Sequence, residues 1–192
     1  MSHSNIIVIA HGKSEMIMAN AMKKALRLQI TVFNPYDGRQ DVSIGNILEV
    51  MENNGFQNEH ILHKKYPVLD YRMHGKPSMP DLKIFPIMDI DSYGKNRKAY
   101  ETGNMFKDCI FANRIVPIFN EPNLDEVMNE LGYSIDAYDS NKISSYHDIF
   151  DSMRPDDYLD LTIRLRRIPE MTNLPLFLET CLRLKPEFQG RI

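Results

Sequence analysis

The sequence contains no tryptophan and only two cysteines, Cys109 and Cys181. They lie far apart and neither belongs to a C-x-x-C pair, which excludes a disulfide-stapled scaffold and a cysteine-built zinc site. An excess of basic charge is also missing. Lys and Arg number 23 against 26 Asp and Glu, a formal net charge of -3, and the pI is near 6.1. Domains that coat nucleic acid by bulk positive charge usually have a pI above about 9, so that mode of binding is excluded. The first residues, Met1-Ser2-His3-Ser4-Asn5, lack the basic segment of a secretion signal. The early apolar run Ile6–Ala10 is far shorter than the roughly 20 residues that span a bilayer. A cytoplasmic protein without a membrane partner is expected.

What is present is an average globular composition, 43% hydrophobic and 26% charged over 192 residues, the size of one domain. Asn5–Ala10 is apolar and rich in β-branched residues, as a strand buried on both faces must be. Gly12 ends it, and Ser14–Leu28 carries Ile17, Ala21, Ala25 and Leu28 at helical spacing. Ile30–Phe33, Leu82–Ile90 and Arg114–Phe119 read as further strands, the last two each holding a proline. Pro86 predicts a bulge or an edge position in its strand. Helices are expected at Ile44–Met51, Lys95–Phe106 and Leu124–Leu131. Residues 57–80 read as an irregular excursion with at most one short strand. This alternation predicts an α/β fold: a mainly parallel sheet of about four strands flanked by helices, in a Rossmann-like arrangement. The unit spans residues 1–135. Residues 136–192 read as a helical extension packed on the sheet, with helices at Tyr146–Met153, Tyr158–Arg167 and Leu174–Leu184.

Ligands of parallel sheets bind beyond the carboxyl ends of the strands. Two features fall there: the turn His11-Gly12-Lys13-Ser14-Glu15, and Asp89-Ile90-Asp91. Two residues apart on a strand, Asp89 and Asp91 point the same way and form a paired carboxylate suited to a hard cation such as magnesium. The bland alternative is a solvated turn, which describes most isolated D-x-D sequences. Two other motifs fail. A P-loop needs glycine where Ile7 stands, and a nucleophile elbow needs glycine where Met16 stands.

An apolar strand ending in E-G-x-x-E, followed by a helix and a later strand ending in D-x-D, is the pattern of Toprim domains. Residues 5–133 resemble the compact form found in RloB- and OLD-type nucleases. His11–Glu15 is similar to the E-G-K-T-E segment of that form, and Asp89-Ile90-Asp91 to its D-x-D. Phe119–Glu126 resembles the segment leading from the fourth strand into a helix, although Glu121 interrupts the usual serine-asparagine-proline core. The resemblance implies a Mg2+- or Mn2+-dependent nuclease or phosphodiester-transfer protein, in a bacterial or phage defence setting, with DNA or RNA as partner. It implies Asp89, Asp91 and Glu15 as metal ligands and His11, Lys13 and Glu15 as catalytic residues. Gly12 and Ser14 would line the phosphate.

The departure is His11, which stands where the family has its leading glutamate. A histidine shuttles protons near neutral pH but offers no anionic oxygen. Three outcomes stay open: His11 replaces the glutamate, Glu15 takes over part of its role, or the site is inactive and the protein binds a nucleic acid, nucleotide or protein partner. An enzyme acting on small phosphorylated substrates is a further alternative.

Charge is uneven along the chain. Lys95, Arg97, Lys98, Lys107 and Arg114 face only Glu101 and Asp108 within residues 95–114. With Lys64, Lys65, Arg72 and Lys76 they can form a phosphate-binding rim, and Tyr66, Tyr71, Tyr93 and Tyr100 can stack on bases. The competing reading, which is favoured, is a solvated surface with the tyrosines in the core. Residues 121–160 hold eleven acidic residues against Lys142 and Arg154, a surface for a protein partner or for solubility. Arg164, Arg166 and Arg167 are expected to pair with it.

Overall fold

A computed structural model describes residues 5–67, 69, 71, 79, 81–90, 96–135 and 141–192. Four strands, β1 (Ile6–Ala10), β2 (Ile30–Phe33), β3 (Lys83–Asp89) and β4 (Ile118–Asn120), form one sheet in the order β2-β1-β3-β4. Every pairing is parallel, with Ile6 opposite Ile30 and Lys83, and Asp89 opposite Asn120. The described helices are α1 (Lys13–Ala25), α2 (Ile47–Asn53), α3 (Glu59–Lys65), α4 (Arg97–Glu101), α5 (Leu124–Glu130), α6 (Lys142–Phe150), α7 (Pro155–Leu165) and α8 (Pro175–Arg183). The fold is α/β and Rossmann-like. Among the described residues no helix is long and apolar enough to cross a membrane.

The period-2 geometry of the strands divides the core in two. Ile6 and Val8 of β1 and Phe85 and Ile87 of β3 pack with α1 and with aromatic residues of the later helices, Tyr146, Phe150, Tyr158 and Phe177. Ile7, Ile9, Ile84 and Met88 face the opposite side, against Ile47, Met51, Leu62 and Tyr100. All five β1 residues are buried, which is why the strand shows no polar alternation. The helices after residue 141 share one hydrophobic cluster with the sheet.

Pro86 is neither at an edge nor in a bulge. It lies in β3, between β1 and β4, opposite Ile9. The Tyr100 hydroxyl lies 2.8 Å from the Pro86 carbonyl oxygen and 2.9 Å from that of Ile118. Both carbonyls lie on the β3–β4 seam, where Pro86 brings no N–H. β4 is shorter than its hydrophobic pattern. Val116 still donates to the Ile84 carbonyl at 2.8 Å, but Pro86 has no N–H to return to Val116, and the continuous ladder starts only at Ile118. Its outer edge is covered by the α7–α8 connection. Thr172 bridges Asn120 in antiparallel sense. The Asn173 side chain accepts from Phe119 N–H at 2.8 Å and donates to the Pro117 carbonyl at 2.9 Å, imitating a strand.

Two helix expectations are corrected. α4 stops at Glu101 because Gly103 turns the chain at φ +74, and a short 3-10 turn, Asn104–Phe106, follows. Residues 57–80 contain a helix, α3, capped by Asn58, which accepts from Ile61 N–H at 2.9 Å.

Candidate functional site

The strand order reverses between β1 and β3. Residues of α1 pack on one face of the sheet, and Tyr100 of α4 packs on the other. This is the switch point at which ligand crevices open in such sheets. A cleft of about 200 Å3 lies there, lined by His11, Gly12, Lys13, Ser14, Glu15, Gly38, Asp41, Asp89, Asp125, Lys142 and Ile143. The turn after β1 and the end of β3, singled out separately in the sequence, thus meet in one place.

Glu15 stands in the first turn of α1 and is 1% exposed. Its Oε2 accepts the Gly12 N–H at 2.9 Å, closing the helix start on itself. Its Oε1 is buried and has no hydrogen-bond partner among the described residues. Burial pushes the Glu15 carboxyl above the usual range, and the nearby His11 and Lys142 charges oppose the shift.

Asp89 ends β3. Its Oδ1 accepts from the Asn120 side chain at 3.2 Å and from Leu124 N–H, at the start of α5, at 3.1 Å. Burial raises its pKa well above the ordinary value, and the Glu15 and Asp125 charges raise it further. Asp91, its expected partner, lies outside the described residues. β3 ends at Asp89, short of the expected Ile90, although Ile90 N–H still donates to the Asn120 carbonyl at 2.8 Å.

His11 continues the β1 ladder, donating through its N–H to the Ile87 carbonyl at 2.9 Å. Its Nδ1 lies 2.7 Å from the Val42 carbonyl oxygen. A carbonyl only accepts, so Nδ1 bears a proton. Nε2 is 3.8 Å from Asp41 Oδ2. Asn34 holds the loop around this histidine. Its Nδ2 donates to the carbonyls of Ala10 (3.1 Å), His11 (2.9 Å) and Gln40 (3.2 Å). Its Oδ1 accepts from the N–H groups of Tyr36 (2.8 Å) and Gly38 (3.2 Å). Gly12 admits the loop closely, since a Cβ there would lie 2.8 Å from Asp41 Oδ1. Lys13 is exposed at the helix start, while Ser14 is buried.

Two further residues belong to the cleft. Asp125 of α5 is 4% exposed. Its Oδ2 meets Lys142 Nζ at 2.5 Å, and its Oδ1 accepts the Tyr146 hydroxyl at 2.7 Å. The last two residues belong to α6, so the helical region beyond residue 141 forms one wall. No local motif marks these positions. Asp125 resembles any first-turn acid of a helix, and Lys142 merely opens another.

Glu15, Asp89 and Asp125 line the cleft with carboxylate oxygens, the donor type that hard divalent cations take. A buried carboxylate oxygen lacks a partner, and neighbouring acids disfavour the charge of Asp89, which a cation would relieve. Among the described residues, no three His, Cys, Asp or Glu side chains form a ready-made metal group.

The basic rim does not assemble from the described residues. Arg97 pairs with Glu101 and Glu121, Arg114 pairs with Glu59, and Tyr100 is buried. Tyr71 stacks on His63 at 4.8 Å. Arg72, Lys76, Tyr93 and Lys95 lie outside the described residues. Within the acidic stretch Asp125 pairs with Lys142, Asp151 with His147 and Asp157 with Arg154. Arg164 pairs with Asp160 as expected, but Arg166 pairs with Glu179, beyond that stretch.

No known protein family, curated protein or solved structure matches the chain.

Proposed function

We propose that this protein performs magnesium- or manganese-dependent phosphodiester cleavage or transfer on nucleic acid, at the cleft between the His11–Glu15 turn and Asp89. The observation that carries the reading is Glu15: a buried carboxylate with an unpartnered oxygen, beside Asp89, at the switch point of a parallel sheet. The resemblance of His11–Glu15 and Asp89-Ile90-Asp91 to Toprim segments supports the same reading, and with it a setting in bacterial or phage defence.

Each residue then has a task. Glu15 and Asp89, with Asp91, would hold the ion. Such an ion would supply charge stabilisation on the phosphoryl oxygens. Lys13 and the first-turn amides of α1 would orient a phosphate, because a helix start offers unsatisfied N–H groups. His11 would accept or return a proton at Nε2, its ring held by the Val42 carbonyl.

One observation favours a second reading, a binding protein without catalysis. Asp89 already accepts two hydrogen bonds and anchors α5, a structural role sufficient in itself, and position 11 lacks the glutamate.

Labelled single- and double-stranded DNA and RNA, and mononucleotides, incubated with Mg2+ or Mn2+ decide between the two. Metal-dependent cleavage, lost in Asp89→Asn and raised in His11→Glu, is the expected result. Turnover confined to mononucleotides would replace nucleic acid by small phosphorylated substrates. Binding without cleavage, by the wild type and by His11→Glu alike, would establish the second reading.

A further inference from the structure

The carboxylates of this cleft are short of positive charge. Asp125 is almost completely buried, and a buried carboxylate requires a partner. It has two, the Lys142 ammonium at 2.5 Å and the Tyr146 hydroxyl at 2.7 Å. Lys142 and Tyr146 stand four residues apart on α6, on one helix face. Burial disfavours ionised Glu15; the His11 charge opposes this, and the Lys142 charge does so least of all. On the Glu15 side of the same cleft, Oε1 is buried without a partner. Asp89 feels the charges of both other acids. Lys142 thus adds positive charge, beside Lys13, to a cleft that Glu15, Asp89 and Asp125 all line.

The two partners of Asp125 differ in how readily they leave. Tyr146 is fully buried. The Lys142 side chain is 30% exposed, and a flexible lysine stem can carry its ammonium into water without disturbing the helix. The hydroxyl would therefore keep α6 on α5 after the ammonium had gone.

We infer that Lys142 is a built-in counter-cation of the Glu15–Asp89–Asp125 cluster, holding Asp125 in competition with a divalent cation. This rests on the cation-dependent reading of the cleft and adds to it a residue from outside the α/β segment. Lys142 leaves Asp125 when the cation binds and returns when it departs. An ordinary structural salt bridge would show no such exchange.

Mn2+ titration of the full chain by calorimetry tests the exchange, with wild type, Lys142→Met, Lys142→Arg and Asp89→Asn compared. Lys142→Met is expected to bind Mn2+ about ten-fold more tightly, within the usual range of coupling between two ligands of one site. Lys142→Arg keeps the charge and should stay close to wild type. Asp89→Asn should lose binding. Where Lys142→Met does not fold, Lys142→Gln gives the same comparison, since it retains a donor for Asp125. Excess Mn2+ should also close the melting-temperature gap between wild type and the neutral variant. Equal or weaker Mn2+ binding by a folded neutral variant, or a gap that persists, overturns the counter-cation role and leaves the cation reading standing. No Mn2+ binding by either wild type or the neutral variant overturns both.

Discussion

The carboxylate of Asp89 accepts the backbone N–H of Leu124 at 3.1 Å, so the last residue of β3 also anchors the first turn of α5. Structure and proposed chemistry therefore meet in one side chain, and two substitutions separate them. Asparagine keeps an oxygen for Leu124 and removes the charge. Alanine removes both. Asp89→Asn should be at least as stable as wild type at neutral pH, because a desolvated charge is gone. Asp89→Ala should lose about 1–2 kcal/mol with the anchor. Urea melts of the two variants check this. Equal losses in both would show that the charge itself stabilises the fold.

The raised pKa values of Glu15 and Asp89 predict a pH dependence. Between the ordinary carboxylate range and their raised values, the folded chain holds more protons than the unfolded one. The contribution of these two groups to stability therefore falls as pH rises through that window, and levels off above it. Relative to wild type, Glu15→Gln with Asp89→Asn should gain stability as pH increases from about 4 to 8. Denaturant melts at several pH values measure the difference, and a difference that shrinks with rising pH would contradict it.

Asn34 makes five hydrogen bonds with its one side chain, three given and two received. Asn34→Asp keeps the two acceptor contacts and loses the two N–H donors that the three carbonyls share. Loss of about 1–3 kcal/mol is expected, since the buried Ala10 carbonyl loses its Asn34 donor beside an added charge. The His11 ring signals in NMR spectra should shift with it, because Asn34 grips the His11 carbonyl. Unmoved His11 resonances would show that the loop holds its shape without Asn34.

Tyr100→Phe removes the hydroxyl lying between the carbonyls of Pro86 and Ile118. The ring still fits its core position, so the change isolates the polar contact. About 1–3 kcal/mol of destabilisation is expected. A cost near zero would mean that this contact adds nothing to the β3–β4 seam.

The parts of this molecule that were legible in the sequence are those built from contiguous residues. β1 was visible because all five of its residues are apolar, and the Gly12 turn because it follows directly. Asp89 was visible from its place after an apolar run. Asp125 and Lys142 were not, because they reach the cleft from elements far along the chain, and neither position carries a local signal. α3 was overlooked because it buries Leu62 alone, too little for a helical stripe, although Asn58 and Glu59 ahead of Lys64 and Lys65 are start and stop signals. Pro86 misled in the other direction. Its missing N–H interrupts only the pairing with β4, while the register with β1 runs through it unbroken.

The covering of β4 has a consequence for synthesis. Asn120 meets Thr172 across 52 residues of sequence. A chain emerging from the ribosome at about 5–20 residues per second therefore presents β4 for several seconds before its cover exists. During that interval the strand is open to pairing with a neighbouring nascent chain. The connection around Thr172 and Asn173 thus acts as a late closure, and the safety of the folding chain depends on how soon it arrives.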